Sequence, residues 1–321
     1  LFDDYLALAR EHSVRLIIPL GLSPTWASSN PDQASAYNKE LDPARPGLGF
    51  AAPPKSIEDF RNYVRIVAER SRGRGHYYEL WNEINMHHFY SGTMDELISL
   101  HREAYDILKQ VDPQNKLISS SVVGGVTFLD RLLTRGLGKY CDIIGIHLYT
   151  IGNDTLYDNQ KMFMLNAFRA HEVLKKHGVD KPMWNTESGW NIESDNVPEN
   201  NFPKRRRIFT ELEASALVSQ AYVYNWACNI RSFSLYTWDN STMGMIHRKN
   251  NNNLKKCAYA YAEIGNWLRG YTMSKFYLLT DETWVSILEN GPDRKYIVGH
   301  NAREVVLPVK DWSGSWAKSL F

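Results

Sequence analysis

Residues 56–86 read SIEDFRNYVRIVAERSRGRGHYYELWNEINM, and their order decides what kind of fold the chain can build. Residues 56–73 predict an amphipathic helix, with Ser56 as its N-cap and Glu58 and Asp59 in its first turn, where the helix dipole favours negative charge. Residues 77–82, YYELWN, predict a short strand, and Glu83 stands at its end. A helix that feeds a strand in this way implies a parallel sheet with helices packed on it. The same grammar returns in PMWNTESGW at 182–190, where Glu187 ends a second short run close to a tryptophan.

The rhythm extends in both directions. A helix at 1–13 leads to a strand at 14–21, and helices at 93–111 and 127–137 lead to strands at 116–121 and 141–149. Helices at 159–178 and 207–229 lead to strands at 182–187 and 231–238, and a last helix lies near 254–270. Six strands, each preceded by a helix, predict an α/β architecture over residues 1–270. Beyond it TWVSILEN, RKYIVGHN and REVVLPV are short alternating runs with turn residues between them, a small antiparallel β appendage over 271–321 packed on the barrel. Residues 23–55, rich in Pro, Ser, Ala and Gly, follow a strand end with few regular signals, the mark of a substrate-facing loop. PENNFPKRRR and RKNNNNLKK read as solvated loops.

A chain of 321 residues, 43% hydrophobic, can bury a large core. Its 37 basic and 36 acidic residues leave a formal charge of +1, so no global field favours nucleic acid or an anionic membrane. No stretch has the roughly 20 apolar residues of a membrane span, and the N-terminal residues lack a signal-peptide layout. Cys141, Cys228 and Cys257 show no C-x-x-C spacing and read as buried thiols, with a single disulfide left open. The 10 Trp and 18 Tyr exceed what a core needs and supply flat rings on which sugars can stack.

In a (β/α)8 barrel the chemistry gathers at the C-terminal ends of the strands, where Glu83 and Glu187 both fall. Two carboxylates on such a rim suit glycoside hydrolysis, one as general acid and the other as nucleophile or as base for water. A lone glutamate at a strand end has a blander explanation as a salt bridge. Burial beside Trp81 and Tyr78 would disfavour the charged form of Glu83, as an acid requires, while donors near Glu187 would keep it ionised. His147 and Tyr149 are two apart on one strand and so face the same side. His87 and His88 follow Glu83 without H-E-x-x-H or a carboxylate at ligand spacing, so no metal is expected, and no motif calls for a cofactor.

WNE after a strand and TESGW at the end of a later one resemble the fourth and seventh strands of the clan A retaining glycoside hydrolases. LSPTWAS, the APP before the helix at 56–73 and a β appendage after the barrel resemble glycoside hydrolase family 39 and its relatives, which include β-xylosidases, α-iduronidases and bacterial exopolysaccharide endoglycosidases. LGLSPTWAS and AAPPKSIEDFRNYV look most like the last of these. The resemblance implies Glu83 as acid/base, Glu187 as nucleophile, Tyr149 supporting the nucleophile with His147 beside it, and Asn82 bonding the sugar 2-hydroxyl. It makes Trp238 the aromatic floor under the sugar, and Trp26 and Trp190 are candidates for stacking on flanking sugars, with core packing the alternative for each.

The expectation is therefore a retaining, endo-acting hydrolase of a polysaccharide or oligosaccharide, with an exo-acting β-xylosidase-like enzyme and a non-catalytic carbohydrate-binding barrel as alternatives. A metal-dependent hydrolase would need a His/Asp cluster that the sequence does not show. A polysaccharide substrate favours a secreted or periplasmic location. The resemblance assigns the six strands to positions three to eight, so the first two strands are expected from an N-terminal segment or a separate chain that completes the barrel. Without them the strands at 14–20 and 232–238 would present open apolar edges.

Overall fold

The structure, a computed structural model, describes residues 1–36, 47–73, 76–150, 156–195, 207–280 and 283–299. The chain forms two compact units, Leu1–His147 with Phe168–Thr186, and Leu148–Ala167 with Glu187–Phe321.

In the first unit α1 (Phe2–Glu11) precedes β1 (Ile17–Leu20), and α2 (Ile57–Arg70) precedes β2 (Tyr77–Leu80). α3 (Met94–Val111) then leads to β3 (Lys116–Ile118) and α4 (Thr127–Thr134) to β4 (Ile144–Ile146). α5 (Leu156–Lys176), whose last turns belong to this unit, leads to β5 (Met183–Ser188). β1 pairs in parallel with β2 from Ile17↔Tyr77 to Leu20↔Leu80, β2 with β3 and β4 with β5. Bridges Ile118↔Ile143 and Val123↔His147 join the β3 segment to the β4 segment. The sheets are small and open, and among the described residues β1 is an edge strand, bonded to β2 alone.

The helices are held by the faces that their sequences dictate. α2 buries Phe60, Val64 and Ala68, one residue per turn, although Ser56 occupies the N-cap without a side-chain bond. α3 begins with a capping box in which Thr93 and Glu96 satisfy each other's backbone N–H, and it buries Leu97, Leu100, Ala104, Ile107 and Leu108. Each fully buried leucine contributes about 2 kcal/mol from area removed from water. On β2, Tyr78 and Leu80 are inaccessible to solvent, and the Tyr78 hydroxyl lies 2.6 Å from Ser71 Oγ just past the end of α2. Alternation turns Tyr77 and Glu79 the other way, where the Tyr77 ring meets the Trp184 ring edge-on with centroids 4.5 Å apart. β2 and β5 are separated by β3 and β4, so this contact requires a curved sheet.

The loop expected at 23–55 is tied back on itself in its described part. Ser28 Oγ donates to the Gly49 carbonyl at 2.7 Å, and the Lys55 amide to that of Ala27 at 2.8 Å. Residues 37–46 of it lie outside the described residues.

The second unit holds the first turns of α5, the end of β5, α6 (Glu211–Ala227), β6 (Ile230–Leu235), the ribbon of β7 (Ile246–His247) and β8 (Asn253–Leu254), and α7 (Lys256–Leu268). An antiparallel sheet of β9 (Thr272–Thr280), β10 (Thr283–Asn290) and β11 (Asp293–Gly299) follows, with β10 central. β10 and β11 match two of the expected runs. β9 is an additional strand in a stretch without a strong alternating signal, and REVVLPV at 303–309 lies outside the described residues, as does most of PENNFPKRRR. α6 is apolar on several sides because it is buried on several sides, with Tyr224 packed edge-on against Phe276 and Trp284. Past the end of β5 the Tyr236 amide donates to the Ser188 carbonyl at 2.9 Å, and a Cβ on Gly189 would stand 1.8 Å from the Tyr236 carbonyl oxygen. Only glycine fits that approach.

Candidate functional site

Beyond Leu80 the chain leaves β2 through two non-glycine residues with positive φ, Trp81 at 60° and Glu83 at 41°. Left-handed backbone of this kind costs on the order of 1 kcal/mol or more per residue and persists only where the surroundings enforce it. Here the Trp81 amide donates to the Leu20 carbonyl at 2.9 Å and its indole N–H to the Phe89 carbonyl at 2.8 Å. Asn85 clamps the next residues by bonding both the amide and the carbonyl of Val123. The Glu83 side chain is thereby left 12% exposed, its Oε1 lying 3.0 Å from Nδ1 of His147, whose side chain is 2% exposed. One proton shared between a carboxyl and an imidazole can be held by either group.

Tyr149, two residues after His147, belongs to the second unit, and its hydroxyl donates to Glu187 Oε1 at 2.7 Å. Ser188 Oγ donates to the Leu148 carbonyl at 2.9 Å, fixing the strand end that carries Glu187. A phenol that donates to a carboxylate favours its ionised form, the state a nucleophile needs.

The remaining residues singled out in the sequence divide by exposure. Asn82 is half-buried beside Glu83. Trp26, on the short turn Thr25–Ala27, is 67% exposed, and Trp238 beyond β6 is 54% exposed. Trp190 is 8% exposed, packs with Ile192, Phe209 and Leu217, and donates its indole N–H to Asn159 at 3.2 Å. Its ring is packed in the core of the second unit and presents no open face to a sugar. His87 and His88 are exposed, and His87 Nε2 lies 3.4 Å from the Gln33 side chain. The Tyr78 side chain is directed to α2, its hydroxyl against Ser71.

Sequence reasoning missed a half-buried polar group on the face of β2 opposite Tyr78 and Leu80. Glu79 Oε1 accepts from Thr186 Oγ1 at 2.7 Å and from Ser121 Oγ. The signal was available: a carboxylate in mid-strand, on the face opposite Tyr78 and Leu80. Among the described residues, no helix is long and apolar enough to cross a membrane.

Solved structures share this arrangement of helices and strands. A monomeric β-xylosidase from Caulobacter crescentus CB15 superposes with a TM-score of 0.62 at 14% identity, over 91% of this chain and 62% of that one. The chain has the fold of the clan A glycoside hydrolases. The glycoside hydrolase family 39 enzyme from Xanthomonas axonopodis pv. citri gives 0.61 at 14% identity, over 88% of this chain and 57% of that one. A glucosidase from Croceicoccus marinus gives 0.57 at 13% identity, over 90% and 60%. The chain therefore spans about three-fifths of the length of these glycosidases. No protein-family profile and no curated protein matches the sequence.

Proposed function

We propose that this protein is a retaining glycoside hydrolase that cleaves a polysaccharide within its chain. Residues 1–270 would form the catalytic (β/α)8 barrel and 271–321 the appendage. The observation that carries the reading is the pair of bonds made around one strand end: His147 to Glu83, and Tyr149 to Glu187. Each glutamate has the partner its role requires. The curved inner face of β2 and β5 supports the barrel, and the exposed rings support Trp238 as the floor under the sugar and Trp26 as a platform for a flanking one.

In the first step Glu187 attacks the anomeric carbon while Glu83 gives its proton to the departing glycosidic oxygen, and a glycosyl ester forms on Glu187. In the second, Glu83 takes a proton from water, the water oxygen attacks the same carbon, and the ester bond breaks with Glu187 released as carboxylate. His147 can accept from Glu83 when it is an acid and donate to it when it is a carboxylate, so both stages keep a satisfied hydrogen bond. Asn82 is the residue for the sugar 2-hydroxyl, a contact that strengthens in the transition state.

Purified protein is to be screened on xylan, β-glucan, mannan and bacterial exopolysaccharides, with the anomeric configuration of the first product read by NMR. Retained configuration and early release of oligomers are expected. Inverted product would exclude the double displacement, and release of monosaccharide alone would turn the assignment to an exo-acting, β-xylosidase-like enzyme.

A further inference from the structure

β2 and β5 are not neighbours, so no backbone hydrogen bond sets their separation. Their inward side chains meet instead. Tyr77 and Trp184 form one rung, and two residues further along each strand Glu79 and Thr186 form the next. Ser121, from the segment after β3 and inaccessible to solvent, donates to the same Glu79 Oε1 and lies 2.9 Å from Thr186 Oγ1. β4 contributes only Gly145 here, where a Cβ would stand 2.5 Å from Ser121 Oγ and 2.7 Å from the Ser119 carbonyl oxygen. The rung is cleared for these three polar side chains.

Glu79 is half-buried, and a carboxylate drawn partly out of water costs more than an apolar side chain in the same place. What the carboxylate adds is a fixed distance, because hydrogen bonds hold their heavy atoms within a few tenths of an ångström whereas apolar contacts slide. The strands it joins are the two that end in the glutamates: Glu83 lies four residues beyond Glu79, and Glu187 directly follows Thr186. Double displacement tolerates little error in the spacing of its two carboxyls, and a displacement of about 1 Å costs about 100-fold in rate.

We infer that Glu79 is a positioning residue, a strut that, through Thr186 and Ser121, fixes the separation of β2 and β5 and with it the spacing of Glu83 and Glu187. The inference rests on the glycosidase reading above. It is tested with Glu79→Ala, Glu79→Gln, Thr186→Val and the Glu79→Ala/Thr186→Val double variant. Each is assayed on 4-nitrophenyl β-xyloside, 4-nitrophenyl β-glucoside and the polysaccharide panel, well below its thermal midpoint and per folded molecule. Glu79→Ala and Thr186→Val are each expected to lower kcat about 100-fold with KM little changed, and the double variant to be no worse than either. Glu79→Gln keeps an oxygen that accepts both hydroxyls and should restore most of kcat. A residue needed only for folding would lower the thermal midpoint and leave kcat per folded molecule intact, and that result overturns the inference. So do losses that multiply in the double variant, or a Glu79→Gln protein as slow as Glu79→Ala. Should Glu79→Ala not fold, Thr186→Val and Glu79→Gln decide on the same criteria. A wild-type protein that hydrolyses none of these substrates overturns the glycosidase reading and the strut with it; a hydrolytic wild type with unaffected variants overturns the strut alone.

Discussion

Glu83 and Glu187 are chemically identical side chains, and in the proposed mechanism their hydrogen-bond partners divide the labour between them. Replacing Glu83 by Ala should slow substrates with poor leaving groups far more than activated aryl glycosides, whose departure needs little protonation, whereas Glu187→Ala should abolish turnover of both. A reversed dependence on leaving group, read from kcat/KM across an aryl glycoside series, would exchange the two roles. Tyr149→Phe removes the hydroxyl that donates to Glu187, the proposed nucleophile. A hydrogen bond to a charged group contributes about 1.5–3 kcal/mol, so kcat is expected to fall about 10- to 100-fold with the fold intact. Steady-state kinetics beside circular dichroism would check it. The two glutamates beside strand ends were legible in the sequence because WNE and TESGW carry them in short contiguous stretches. The burial of Trp190 was not, since a tryptophan after a strand end can face a sugar or the core, and packing with Ile192, Phe209 and Leu217 decides between them.

Elements are held by local bonds that the sequence announces and by close approaches that it conceals. The capping box at the start of α6 joins Thr210 to Glu213, as Thr93 joins Glu96 in α3. Thr210→Ala should destabilise the protein by about 1 kcal/mol, read as a lower urea midpoint at an unchanged slope. A change in slope instead would mean that the helix end does more than cap itself. Gly145→Ala is of the second kind. Its Cβ would meet backbone as well as Ser121, and overpacking of this sort costs about 1–3 kcal/mol. Urea unfolding should show that loss, and a variant as stable as wild type would mean that β4 can shift away from Ser119.

For the molecule as a whole, one buried histidine is expected to make stability fall in acid. His101 on α3 is fully buried, its Nε2 accepts from the Ser120 amide at 3.3 Å, and burial pushes its pKa down from 6.5 to about 3. Between those values the unfolded chain binds a proton that the folded chain refuses, so stability falls as pH falls, by about 1.4 kcal/mol per pH unit, and is unaffected above about pH 6.5. His101→Gln should therefore narrow the difference in unfolding free energy between pH 7 and pH 5 by about 2 kcal/mol, measured by urea unfolding at both values. Equal differences in the two proteins would show that other groups carry the acid sensitivity. The sequence by itself determined the βα order, the antiparallel sheet after residue 270 and the two glutamates at strand ends, because these follow from periodicity and from residues adjacent in the chain. Only the tertiary structure decided that Glu79 meets Ser121 and Thr186, that His147 meets Glu83 and that Trp190 packs in the core. Those contacts join residues tens of positions apart, and their distances depend on how strands curve and turn, which no local pattern of residues encodes.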